Sequence, residues 1–145
     1  MIVEACDPDS ADASILVGEL SATLADITGS SGQASFASDS AQLFVVARDA
    51  EGSLLGCGAL RPLHEGVGEI KRMYARPGTR GVGAALLAHL ESAAFGFGYR
   101  ALWLETRRVN TRAVAFYLKH GYAAMPNYGK YIGRAEAACF GKSLS

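Results

Sequence analysis

Charge of one sign is the first thing this chain lacks. Its 14 basic and 14 acidic side chains cancel over 145 residues. Proteins that gather nucleic acid carry a basic excess or patch, so no nucleic-acid partner is expected, although TRRVNTR (Thr106 to Arg112) is a local basic cluster. Cysteine is scarce too: Cys6, Cys57 and Cys139 are odd in number, widely spaced and form no C-x-x-C pair. That excludes a disulfide framework and reads as buried, inert thiols in a reducing compartment. No run of 18 apolar residues occurs, so neither a transmembrane helix nor a membrane partner is expected. The opening MIVEACDPDS has no basic n-region and no long apolar core, so no signal peptide is expected and a cytoplasmic location is. His64, His89 and His120 are scattered without metal-ligand spacing, and no Cys–His or Ser–His arrangement is readable. No metal is expected.

What is present reads as an ordinary globular chain, 50% apolar and 19% charged, of a length that suits one domain spanning residues 1–145. IVEAC reads as a first strand. DPDSADASILVGELSATLADITG reads as a helix, with Ile15, Leu16, Glu19, Leu20, Leu24 and Ile27 at three- and four-residue steps, Ser or Asp to cap it and Gly29 to close it. SSGQASFASDS is small and polar, a loop that is either mobile or one wall of a substrate entrance. AQLFVVARD and LLGCGALRPL read as a hairpin, the second strand carrying two glycines that allow a bulge or the approach of a ligand's backbone. EIKRMYA follows as a strand in which Glu69, Lys71 and Met73 alternate with Ile70, Arg72 and Tyr74, and Pro77 ends its pairing. From Val82 a helix carries Leu86, Leu90, Ala93 and Phe97 as one buried stripe and stops at Gly96 and Gly98. ALWLET reads as a central strand, NTRAVAFYLKHG as a helix capped by Asn110 and closed by Gly121, and YAAM and AACFGKSL as strands around a glycine-rich loop, PNYGKYIGRAE. The order describes an α/β protein, a mixed sheet with helices packed on it.

The junction RPGTRGVGAALLAHLE, Arg76 to Glu91, carries the chemistry. A strand that ends at proline and re-enters as a helix leaves backbone N–H groups without partners, and with the helix dipole these make an anion site. Gly81 and Gly83 would keep side chains out of the way of a phosphate, and Arg80 could add a charged donor. A tight turn holding nothing fits the spacing equally well. Other glycine loops fail: G-x-G-x-x-G breaks at Leu86, and the GKS at Gly141 to Ser143 has Glu136 where a Walker loop needs its first glycine.

Two motifs together resemble GNAT, the superfamily of acetyl-CoA-dependent N-acetyltransferases. The family's Q/R-x-x-G-x-G/A between strand and helix is matched by Arg80, Gly83 and Ala85. Its helix opened by asparagine, with an aromatic pair and K-x-G-[FY], is matched by Asn110, Phe116, Tyr117, Lys119, Gly121 and Tyr122. The resemblance runs from Leu43 to Leu144. Many members carry a longer R-G-x-G-x-G loop, so the turn can be aligned in two registers, and in the second Gly81 and Gly83 are its last two glycines.

The resemblance implies a largely antiparallel sheet of six to seven strands flanked by about four helices. That sheet would splay between the strand ending near Ala75 and the strand near Ala101–Thr106. It implies acetyl-CoA as acetyl donor, its pantetheine arm added to the edge Met73, Tyr74 and Ala75 as a further strand. Its pyrophosphate would rest on Arg80, Gly81, Val82, Gly83, Ala84 and Ala85, with Asn110 a further contact. It implies direct attack by an amine without a covalent enzyme intermediate, Tyr117 protonating the departing thiolate and Glu69 serving as base. Read from residues alone, Tyr117 fits core packing as well, and Glu69 fits a pairing with Lys71 or a neighbouring strand. Arg61, His64, Tyr128 and Tyr131 are candidates for the acceptor pocket, and the short aromatic NYGKY favours a small-molecule amine over a peptide. A non-catalytic acyl-CoA-binding module, a different acyl donor and homodimerisation all stay open.

Overall fold

The computed structural model describes residues 1–29 and 41–145. The loop expected over 30–40 lies outside the described residues. Strands β1 (Ile2–Ala5), β2 (Leu43–Arg48), β3 (Leu54–His64), β4 (Val67–Ala75), β5 (Ala101–Arg107), β6 (Ala123–Met125) and β7 (Ala137–Ser143) form one sheet in the order β1-β2-β3-β4-β5-β7-β6. Every neighbouring pair is antiparallel except β4 and β5. Among the described residues the helices are α1 (Ala11–Thr28), α2 (Val82–Gly96) and α3 (Thr111–Lys119), with one 3-10 turn at Gly129–Tyr131. That is three α-helices where about four were expected.

β2 shows how the layers form. Phe44, Val45, Val46 and Ala47 are all buried, because successive side chains of a strand point to opposite faces and both faces are covered. Val45 and Ala47 join one cluster with Leu86, Leu87 and Leu90 of α2. Phe44 and Val46 join the other with Ala13 and Leu16 of α1. A third cluster, Tyr128, Tyr131, Ala137 and Cys139 with Trp103 and Leu63, fills the C-terminal end of the sheet.

The helix ends follow their sequence signals. The Ser10 hydroxyl accepts from the Ala13 amide at 3.2 Å, and Gly29 closes α1 in the left-handed region at φ 77. The expected apolar stripes shift, however. On α1, Ile15 and Ile27 are exposed, and Ala13, Leu16 and Leu20 are buried. On α2, Ala94 replaces Ala93 on the buried face, while Phe97 is 51% exposed. A helix turns 3.6 residues per cycle, so a stripe read at steps of four drifts off the face it began on.

Candidate active site

β4 and β5 stay together for three residue pairs, Val67 with Ala101, Gly68 with Leu102 and Glu69 with Trp103. Beyond Glu69 and Trp103 the strands part. β4 runs on beside β3 to Ala75, and β5 runs on beside β7 to Arg107. The expected splay is therefore present, with Glu69 and Trp103 at its vertex.

A bulge bends β4 just beyond that vertex. Cys57 pairs with Tyr74 and Ala59 with Lys71, so Arg72 and Met73 together oppose Gly58. Arg72 has φ 57, the one positive φ at a non-glycine among the described residues. An extra residue of this kind bends and twists the strand that carries it. It also breaks the expected alternation of Met73 with Glu69 and Lys71. Met73 instead packs with the α2 cluster, beside Ile70, and Tyr74 packs on the α1 side. The glycines of β3 allow this approach. A methyl at Gly56 would lie 2.3 Å from the Tyr74 carbonyl oxygen, and one at Gly58 would lie 2.7 Å from the Met73 sulfur. It is the protein's own β4 that these glycines admit.

The β4–α2 turn has the features of an anion cradle. Gly81 caps α2 at φ 70 with no side-chain cap bond. The Ala85 amide donates to the Gly81 carbonyl at 3.0 Å. Among the described residues, the amides of residues 80–84 have no acceptor. Arg80 is exposed and makes no ion pair there. The two glycines differ in purpose. Gly81 supplies a left-handed φ that other residues adopt only with strain. Gly83 has ordinary φ, but a methyl on it would meet the Phe116 ring at 3.2 Å, so it lets α2 and α3 pack closely. Asn110 caps α3 as expected, its side chain accepting from the Ala113 amide at 3.2 Å.

Tyr117 sits on α3 in the α2-side cluster, edge-on to Phe116 and Tyr122 with ring centroids 5.1 and 5.7 Å away. Its hydroxyl makes no hydrogen bond among the described residues. Burial pushes that hydroxyl far up, so it stays protonated.

On the other face, toward α1, the candidates Arg61, His64, Glu69, Tyr128 and Tyr131 come together. Glu69 is 2% exposed. Its carboxylate accepts from Arg61 Nη1 at 2.7 Å and, through a short bond, from the Tyr128 hydroxyl. The partner is thus Arg61 of the neighbouring strand, opposite Glu69 in the β3–β4 register. Trp103 carries Tyr128 and His64 against it, centroids 5.2 and 5.5 Å apart, and Tyr131 meets Tyr128 at 5.5 Å. Lys71 donates to the Tyr131 hydroxyl at 3.3 Å. Sequence reasoning missed Trp103 and Glu105. Glu105 pairs with Arg107, and burial pushes its carboxyl up despite that cation. The available signal was a glutamate two residues past a tryptophan in a strand read as central, which places both on one face. Among the described residues no group of His, Cys, Asp and Glu could hold a metal ion, and no helix is long and apolar enough to cross a membrane.

Comparison with known proteins agrees with this geometry. The model of the acetyltransferase (GNAT) family matches residues 16–122. The IAA acetyltransferase of Azospirillum brasilense is 41% identical over 91 residues, 61% of this chain and 59% of that protein. The chain spans about six-tenths of the length of the curated relatives it matches. A Klebsiella pneumoniae protein assigned to the acyl-CoA N-acyltransferases superposes with a TM-score of 0.86 at 26% identity, covering 99% of this chain and 97% of its own. A GNAT acetyltransferase from Elizabethkingia anophelis, solved with acetyl-CoA bound, shares the fold with a TM-score of 0.73 at 17% identity, covering 99% and 97%. With its splayed sheet and its uncapped strand–helix turn, the chain belongs to the acetyltransferase (GNAT) family.

Proposed function

We propose that this protein is an acetyl-CoA-dependent N-acetyltransferase acting on the amine of a small molecule by direct attack. One observation carries the reading: the β4 edge beyond Glu69 is parted from β5 and leads into a turn where the amides of residues 80–84 have no acceptor among the described residues. The backbone at Met73, Tyr74 and Ala75 offers ladder groups to an extended pantetheine arm. The amides from Arg80 through Ala84, at the start of α2, suit a diphosphate, with Arg80 as an exposed counter-charge and Ala85 closing the first turn. Asn110 is spent on its helix cap, which leaves its amide nitrogen for a cofactor contact.

Acetyl-CoA supplies a thioester carbonyl and a thiolate leaving group. Tyr117 can donate to that thiolate, because burial keeps its hydroxyl protonated and no acceptor among the described residues competes for the proton. Removal of the ammonium proton falls to the carboxylates on the acceptor side. Glu69 is the base expected from the strand position, and it also holds Arg61 and Tyr128 in place. Glu105 is the second carboxylate on this face, and burial raises its carboxyl above the ordinary carboxylate range, the direction a base needs. Trp103, Tyr128, Tyr131 and His64 form an aromatic cluster beside Glu69, a surface suited to a compact acceptor. The test is thiol release from acetyl-CoA with a panel of small amines, amino acids and lysine peptides. Release with small amines is expected. Release only with peptides would reverse the acceptor class, and acetyl-CoA binding without release would leave a binding module.

A further inference from the structure

The expected chemistry leaves unused a polar network on the far side of the pyrophosphate turn. Arg76 is the last β4-side residue before Pro77, and every polar group it has is bound. Its amide donates to the Leu55 carbonyl at 2.8 Å, and its own carbonyl accepts from the Thr79 amide at 3.3 Å and the Thr79 hydroxyl at 2.6 Å. Its Nη1 donates to the Leu54 carbonyl at 2.9 Å. Its Nε and Nη2 form a fork on the Glu19 carboxylate of α1, at 3.0 and 2.8 Å. The Tyr74 hydroxyl donates to the same carboxylate at 3.0 Å. Glu19 therefore grips both the end of β4 and the residue from which the turn departs.

We propose that Glu19 is a positioning residue for the cofactor: through Arg76 it fixes where the Pro77–Gly81 turn leaves the sheet, and so where the amides of residues 80–84 point. The inference rests on the acetyl-CoA reading above. Downstream of Arg76 the turn has little else to hold it. Pro77 has no N–H, Gly78 and Gly81 both take positive φ, and Thr79 bonds back to Arg76 itself. The fork is specific to arginine, since a lysine ammonium cannot make two parallel bonds to one carboxylate. Arg76 holds Glu19 below the usual carboxylate range, so the clamp is charged at neutral pH.

The experiment compares Glu19→Gln, Arg76→Lys and the double variant with wild type in two ways. Calorimetry measures the dissociation constant for acetyl-CoA, and hydrogen exchange on the cofactor-free protein follows the turn amides against those of the β5–β7 ladder. Each single change should weaken acetyl-CoA about three- to tenfold, as loss of a half-exposed bidentate ion pair permits. The double variant should be no weaker than the worse single, because both remove one interaction. Exchange should quicken in the turn and stay unchanged in the ladder. Wild-type affinity in both single variants, or turn exchange no faster than wild type, overturns the proposal while leaving the acetyl-CoA reading intact. Equal acceleration in turn and ladder overturns it in favour of a general stabilising role. Absence of binding by wild type itself overturns both.

Discussion

At the scale of single residues the proposed chemistry rests on one hydroxyl and two carboxylates. Tyr117 is buried and protonated, and its hydroxyl has no acceptor among the described residues. Tyr117→Phe should leave acetyl-CoA affinity within about twofold and lower turnover by about 100-fold, the usual worth of a positioned general acid. Calorimetry beside steady-state kinetics checks this, and unchanged turnover would make the tyrosine a packing residue. The two carboxylates are separated by substitution. A base must be ionised to accept a proton, so with Glu105 raised by burial the rate should fall on acidification at a pH above the ordinary carboxylate range. Glu105→Gln should abolish that acid limb along with most turnover. Glu69→Gln should keep the limb and raise KM for the acceptor, because Arg61 and Tyr128 lose the group that orients them. pH–rate profiles of both variants decide which carboxylate is the base. Gly56 is a structural counterpart. A methyl 2.3 Å from the Tyr74 carbonyl forces β3 and β4 apart, so Gly56→Ala should cost about 1–3 kcal/mol in denaturant unfolding.

At the scale of elements, most of the assignment was legible because local chemistry set it. Ser10, Gly29, Asn110 and Gly121 mark helix ends in sequence and in structure. Asn110→Ala should cost about 1 kcal/mol of stability by removing the α3 cap, measurable as a shift in denaturant midpoint. What the sequence concealed were departures from strict period. Alternation along Glu69–Tyr74 predicts one face for Met73 and Glu69, and a single inserted residue at Arg72 and Met73 reverses it. Arginine is not a residue that announces a left-handed φ, so nothing local signalled the bulge. The α2 stripe went astray for a related reason: Ala93 and Ala94 are chemically alike, and only packing decides which is buried.

At the scale of the whole molecule, the sheet separates two faces, and among the described residues it opens where β4 and β5 part. Tyr117 lies with α2 and α3 on one face, and the cluster around Glu69, Trp103 and Tyr128 lies on the other. Chain separation explains which parts of this site could be read in advance. The turn and the Asn110 helix are contiguous motifs and were legible. The cluster proposed for the acceptor joins residues such as Glu69 and Tyr128, 59 positions apart. Its candidate members could be named from the elements that carry them, but their contacts, and the presence of Trp103 and Glu105 among them, exist only in the fold. The central claim is that the parted strands receive the acyl donor. A crystal structure grown with saturating acetyl-CoA tests it most directly. The account predicts the diphosphate on the amides of residues 80–84, the pantetheine arm along Met73–Ala75, and the sulfur within hydrogen-bond reach of the Tyr117 hydroxyl. Donor density elsewhere, or the β4 edge closed against β5 with no ligand between, would contradict it.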